Sequence, residues 1–306
     1  MPTFTAPDGT LLAYHASGSG APLICLPGGP VQDSVYLDGL GGLDAHRTLI
    51  RLDLRGTGAS AVPEDPSSYR CDRLVEDVEA LRTELGLDTL DLLGHSAGAN
   101  LAALYTARYP ERVARLVLLT PGTAAVGLDT TGEERLAAAR RPWREEEPWF
   151  AEAYAALGEL AAGRGSAETF QAIAPFFHGT WDDAARERHA ATARQRNGEG
   201  AGVYGSEGAF RPEATRAAFA EFGQPVLVVA GEGDANTPVP TATAYAELFP
   251  EATLAVLAGG GHFPWHDDAE WLVETVDSFL EWSTPSRSRG TGRVPDHVAA
   301  PTNGPR

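Results

Sequence analysis

The run "LLGHSAGANL", residues 92–101, decides how this chain is read. An apolar, strand-like stretch ends at Gly94, and an alanine-rich, helix-like stretch begins at Gly98. Ser96 stands between the two glycines. Gly-x-Ser-x-Gly with a strand before it and a helix after it marks a serine held on an abrupt strand-to-helix turn. Such a turn strains the backbone, and larger flanking residues would clash there. The turn lifts the serine hydroxyl clear of the sheet. It also aims the backbone N–H of Ala97 at a developing oxyanion, near the positive end of the helix. Ser96 is therefore expected to be a nucleophile and Ala97 an oxyanion donor.

Short apolar runs alternate with helical patterns on either side of this motif. Residues 11–15, 22–26, 48–54, 89–94 and 115–119 read as strands, the later ones almost continuously apolar, as in parallel strands covered on both faces. Residues 71–85 and 98–109 read as helices, the first capped by Gly86. Strand–helix alternation of this kind predicts a mostly parallel, doubly wound α/β sheet. The pattern stops after residue 122. From 123 to 223 the chain is rich in Ala, Glu and Arg with scattered Trp and Phe, and helices are expected at 133–140, 148–162 and 182–197. Strands return at 224–234 and 252–262, followed by a helix at 269–282. The expected organisation is a core of 1–122 and 224–284, an inserted helical cap at 123–223, and a disordered tail at 285–306.

A serine nucleophile needs a base, and the base needs an orienting carboxylate. "GEGD" (231–234) ends one strand and "GGGHF" (259–263) ends the next, so Asp234 and His262 leave the sheet at the same edge as Ser96. Glu232 and Asp267 compete with Asp234, and His266 competes with His262. The loop "CLPGGP" (25–30) offers the second oxyanion donor, expected from the backbone N–H of Gly29.

Composition excludes several classes. The 306 residues carry 42 acidic and 24 basic side chains, a formal charge of −18. That surface repels phosphate backbones and argues against nucleic-acid binding. Two cysteines do not make a disulfide framework, and Cys25 reads as a buried, inert thiol. No segment reads as a signal peptide or a membrane span, so a cytoplasmic protein is expected. No His/Cys cluster has metal-ligand spacing, so neither metal nor cofactor is expected. The expected partner is a small-molecule or short peptide substrate; the oligomeric state is left open.

Taken together, "PGGP" (27–30), "DLRGTG" (53–58), "GHSAG" (94–98), the insertion, "GEGD" and "GGH" resemble the α/β-hydrolase superfamily, and within it the prolyl iminopeptidase-like branch. The likeness runs over most of residues 10–282. Pro27 stands where that branch has histidine, Val31 replaces the last glycine of its loop, and the elbow is closer to that of general esterases. The resemblance implies a serine hydrolase with a helical cap. It also implies that a cap carboxylate could hold a substrate's free amine, with Glu207 in "YGSEGAF" (204–210) the candidate and "REEEP" (144–148) the weaker one. His95, Phe177 and Trp181, with Phe176, are candidates to line a substrate pocket. Asp53 and Arg55 are expected to pair and brace the loop beside the site.

Three functions stay open at this point. The first is hydrolysis of an ester or amide of a small acyl or aminoacyl group through an acyl-enzyme, including aminopeptidase action. The second is a specialised thioesterase, acyltransferase or other hydrolase of secondary metabolism. The third is a non-catalytic small-ligand receptor on the same fold.

Overall fold

Leu92 and Leu93 are adjacent and both wholly buried, yet they belong to different cores. This follows from the two-residue period of a strand covered on both faces. The computed structural model describes residues 1–281 and shows that strand at the centre of an eight-stranded sheet. The strands are β1 (Thr3–Thr5), β2 (Leu11–Gly18), β3 (Pro22–Leu26), β4 (Thr48–Asp53), β5 (Leu90–His95), β6 (Val113–Leu119), β7 (Val226–Gly231) and β8 (Ala252–Leu257). Their spatial order is β1-β2-β4-β3-β5-β6-β7-β8. β2 pairs antiparallel with β1 and β4, and every other pairing is parallel.

On one face Ile24, Ile50, Leu92, Leu116 and Val228 pack under helices α1 (Cys71–Glu84) and α2 (Ala97–Arg108). On the other, Leu23, Leu49, Leu93, Val117 and Val229 pack with Trp265, Leu272 and Val276. α1 ends where Leu85 gives way to Gly86 at φ 65°, the left-handed conformation that glycine adopts without cost. α2 is buried nearly all round, which suits its run of alanines.

The chain then builds a cap from α3 (Gly132–Ala139), α4 (Pro142–Glu145), α5 (Phe150–Ala161), α6 (Ala167–Ala172), α7 (Asp183–Gln195) and α8 (Gly198–Tyr204). α3 opens with a reciprocal capping box between Thr131 and Glu134. The cap has a small core of its own: Ala139, Phe150, Ala153, Leu157, Ile173 and Phe176. Phe150, Ala153 and Leu157 are the inward stripe of α5, three and four residues apart. α9 (Pro212–Ala220) falls inside the stretch read as insertion, but it belongs to the sheet layer. Phe219 and Phe222 join the main core, where Phe219 stacks on Phe249 with centroids 4.2 Å apart. Amphipathic spacing reports that a helix has a buried face; it does not report which neighbour covers that face. α10 (Val239–Ala246), α11 (Pro264–Asp267) and α12 (Ala269–Glu281) complete the fold. The tail expected at 285–306 lies outside the described residues.

The expected Asp53–Arg55 pair does not form. The chain leaves β4 at Asp53, so the two side chains no longer share a face. Asp53 accepts from Ser34 Oγ (2.6 Å), Ala59 N (3.0 Å) and His15 Nε2 (3.0 Å). Arg55 instead holds Asp77 of α1 through two bonds of 2.7 and 2.6 Å, and also reaches Asp8. Among the described residues, no helix is long and apolar enough to cross a membrane.

Candidate active site

Ser96 sits between the last residue of β5 and the first of α2, with φ 53° and ψ −123°. Few non-glycine residues adopt this region, and holding one there costs of order 1–3 kcal/mol. The turn is possible because two close approaches are free of side chains. A Cβ on Gly94 would lie 2.7 Å from the carbonyl oxygen of Gly98, and one on Gly98 would lie 2.6 Å from that of Pro27. The two glycines of the motif thus let the strand, the helix and the 27–30 loop pack backbone to backbone.

His262 follows β8 and Asp234 follows β7, both at the carboxyl edge of the sheet. His262 Nε2 is 2.8 Å from Ser96 Oγ, and its Nδ1 is 2.7 Å from Asp234 Oδ2. Asp234 is wholly buried and His262 is 5% exposed, so the Asp–His bond is shielded from solvent. A carboxylate can only accept, so Nδ1 carries a proton and Nε2 is the basic nitrogen facing the hydroxyl. Asp234 Oδ1 also accepts from Asn236 N at 2.8 Å, which leaves the carboxylate little freedom.

The competitors are occupied elsewhere. Glu232 Oε2 accepts from Gly259 N, while Asp267 accepts from Gly179 N (3.1 Å) and Gly261 N (2.7 Å). His266 packs against Phe263 and Trp265, and burial, with Arg188 nearby, pulls it down to about 4.

The loop after β3, where the second oxyanion donor is expected, lies against Ser96. Gly28 N donates to Tyr36 Oη at 2.7 Å, so its N–H is already used. Gly29 is exposed at φ 114°. Ala97 is the first residue of α2, where backbone N–H groups have no partner within the helix. Val31, at the place of a family glycine, has φ 54° and is wholly buried. Its carbonyl accepts from Asn197 N, and Gln32 bridges to Arg196, so the cap braces this loop.

His95 is buried with both ring nitrogens engaged. Nε2 lies 2.9 Å from the carbonyl oxygen of His262, which can only accept, so Nε2 donates. Nδ1 therefore accepts, and its partner at 2.7 Å is Tyr36 Oη. Burial, reinforced by the neighbouring His262, drives His95 well below the ordinary histidine range and keeps it neutral. Thr120 Oγ1 adds a second bond of 2.9 Å to the His262 carbonyl. Neither Tyr36 nor Thr120 stands in any motif, so their part in the site is invisible in the chain.

The cap candidates fall into different settings. Phe177 is half-buried with its ring 6.0 Å from that of His262, and its carbonyl accepts the His262 N–H at 2.8 Å. Trp181 packs on His178 and His189. Phe176 is buried in the cap core. Glu207 is exposed on the turn after α8, and its backbone carbonyl accepts from Arg70. Of "REEEP", Arg144 alone is buried. Cys25 is buried, and burial pushes its thiol up to about 12. Among the described residues, no group of three or more His, Cys, Asp or Glu is arranged to hold a metal ion.

A serine hydroxyl is thus aligned on a buried imidazole–carboxylate pair at the carboxyl edge of an α/β sheet. The chain belongs to the alpha/beta hydrolase fold family, whose model matches residues 21–269. It is 25% identical over 280 residues to a proline iminopeptidase of Lactobacillus delbrueckii subsp. lactis, covering 85% of this chain and 90% of that one. It is 38% identical over 112 residues to a proline iminopeptidase of Heyndrickxia coagulans; that match spans 37% of this chain and only 39% of the relative's length. An esterase from Exiguobacterium antarcticum superposes with a TM-score of 0.68 at 21% identity, covering 92% of this chain and 99% of that one.

Proposed function

We propose that this chain hydrolyses esters of small, uncharged acyl groups through an acyl-enzyme on Ser96. The observation that carries the reading is the unbroken line from Ser96 Oγ to His262 (2.8 Å) to Asp234 (2.7 Å). Ser96 Oγ attacks the substrate carbonyl while His262 Nε2 takes its proton. The N–H groups of Ala97 and Gly29 hold the oxyanion. His262 then gives the proton to the leaving alcohol as the tetrahedral centre collapses. Water, deprotonated by the same nitrogen, attacks the acyl-enzyme and frees Ser96. Asp234 keeps the proton on Nδ1 and balances the imidazolium that forms at each step.

The surroundings of His262 favour a neutral acyl group. Phe177 and Phe263 set apolar rings beside it, with centroids 6.0 and 5.4 Å from the imidazole, and apolar surroundings suit uncharged ligands. An ammonium needs a paired carboxylate in a partly dry pocket, and Glu207 stands on an exposed turn instead. Aminopeptidase action is the second reading, favoured by the likeness to the Lactobacillus proline iminopeptidase over most of both chains. Kinetics with p-nitrophenyl butyrate and with prolyl and alanyl p-nitroanilides separate the two. Ester turnover that is lost in Ser96→Ala, with kcat/KM far above that of the anilides, is expected. A preference for a free α-amine that disappears in Glu207→Gln would establish the second reading.

A further inference from the structure

Four backbone carbonyls surround Asp234 in the loop after β7, and every one of them is held by an arginine of the cap. Arg135 Nη1 donates to Ala235 O (2.9 Å) and Asn236 O (3.0 Å). Arg141 Nη2 donates to Glu232 O (2.9 Å). Arg144 Nη1 donates to Gly233 O at 2.6 Å. These arginines come from α3, α4 and the link between them, and Ala235 itself packs in the cap core.

Arg144 differs from the other two. It is 1% exposed where they are half-buried, and among the described residues no carboxylate forms an ion pair with it. Its second nitrogen, Nη2, donates to the carbonyl of His178 at 2.7 Å. The residue before His178 is Phe177, whose carbonyl receives the His262 N–H. One guanidinium thus joins the loop carrying Asp234 to the segment on which His262 hangs. Burying an arginine without an ion-pair partner is costly. Burial pulls this guanidinium down to about 10, against the opposing fields of Asp234 and Asp267. A planar fork with two donors in fixed geometry suits the task, which a lysine could meet only in part.

We propose that Arg144 is a positioning residue of the active site, fixing Asp234 and His262 relative to each other so that the cap is an integral part of the catalytic machinery. This rests on the serine-hydrolase reading above. The cap is then not a lid that swings away as a whole, because opening it would release both the acid loop and the histidine loop. In this view Arg144 acts through the Asp–His pair and touches no substrate.

The test is a double-mutant cycle in the full chain with p-nitrophenyl butyrate. Arg144→Met is expected to lower kcat about 30-fold with KM little changed, since groups that work as a unit lose catalysis together. In an Asp234→Asn background the same substitution should cost less than about 3-fold, because the pair it aligns is already lost. Arg144→Lys should fall between wild type and Arg144→Met. Arg164→Ala, exposed and paired with Glu159, should match wild type. If Arg144→Met does not fold, Arg144→Lys takes its place in the cycle. An unchanged kcat, or an equal loss in both backgrounds, overturns the proposal. Ester turnover surviving in Ser96→Ala would overturn the hydrolase reading instead, so the two failures are distinct.

Discussion

The ring of His95 and the backbone of His262 form one hydrogen-bonded unit, joined at 2.9 Å and extended through Tyr36 to Gly28 N. The unit ties the 27–30 loop to the histidine that faces Ser96. Tyr36→Phe should break it at both ends, leaving Gly28 N–H without its acceptor and His95 Nδ1 without its donor. We expect a loss of about 1–3 kcal/mol per group left unpaired. Urea unfolding should show this loss, and ester kinetics should show a fall in kcat. Unchanged stability would mean that the tyrosine hydroxyl is dispensable.

The strained turn at Ser96 makes a prediction that separates stability from catalysis. Ser96→Ala and Ser96→Gly should both be inactive. At φ 53° glycine is relaxed and alanine is not, so the glycine variant should be more stable by about 1 kcal/mol. Equal unfolding midpoints would argue that the elbow stores no strain.

Gly98→Ala should be more harmful than its size implies. The added methyl would meet the carbonyls of Leu26 and Pro27, which are backbone and cannot rotate away. The 27–30 loop must shift, and removing a well-placed oxyanion donor costs about 10²–10³ in kcat. We expect a loss approaching that range, measured with p-nitrophenyl butyrate. Wild-type kcat in this variant would show that the loop can give way.

His178 should make stability depend on pH. It is 3% exposed and stacked on Phe263, and among the described residues its Nε2 has no hydrogen-bond partner. Burial, with His189 and Arg188 nearby, pulls it down to about 3. The unfolded histidine titrates near its ordinary 6.5, so between these values the unfolded chain holds one more proton than the native one. Stability from this group is therefore complete above 6.5 and is lost as the pH falls. His178→Phe should flatten the slope of unfolding free energy between pH 4 and 6 by up to about 1.4 kcal/mol per pH unit. An identical slope in the variant would count against a neutral, buried His178.

The elbow, the alternating strands and the strand-end positions of Asp234 and His262 were legible because local pattern and covalent order determine them. A Gly-x-Ser-x-Gly turn needs only its neighbours, and residues just after parallel strands share one edge. What could not be read depends on side chains meeting across long separations. Arg55 finds Asp77 rather than Asp53, Tyr36 finds His95, and Arg144 finds Gly233. Residues 212–220 fall within the stretch read as insertion, yet Phe219 packs on Phe249 in the main core, a contact that no local pattern reports. Glu207 lies in a stretch that resembles a family pattern, but the turn that carries it faces solvent.

The central claim is that Ser96 is the activated nucleophile. Treatment with a fluorophosphonate, followed by peptide mass spectrometry, tests it most directly. The account predicts one adduct, on Ser96, formed far more slowly in His262→Ala and absent in Ser96→Ala. An adduct on another residue, or labelling at the wild-type rate without His262, would contradict it.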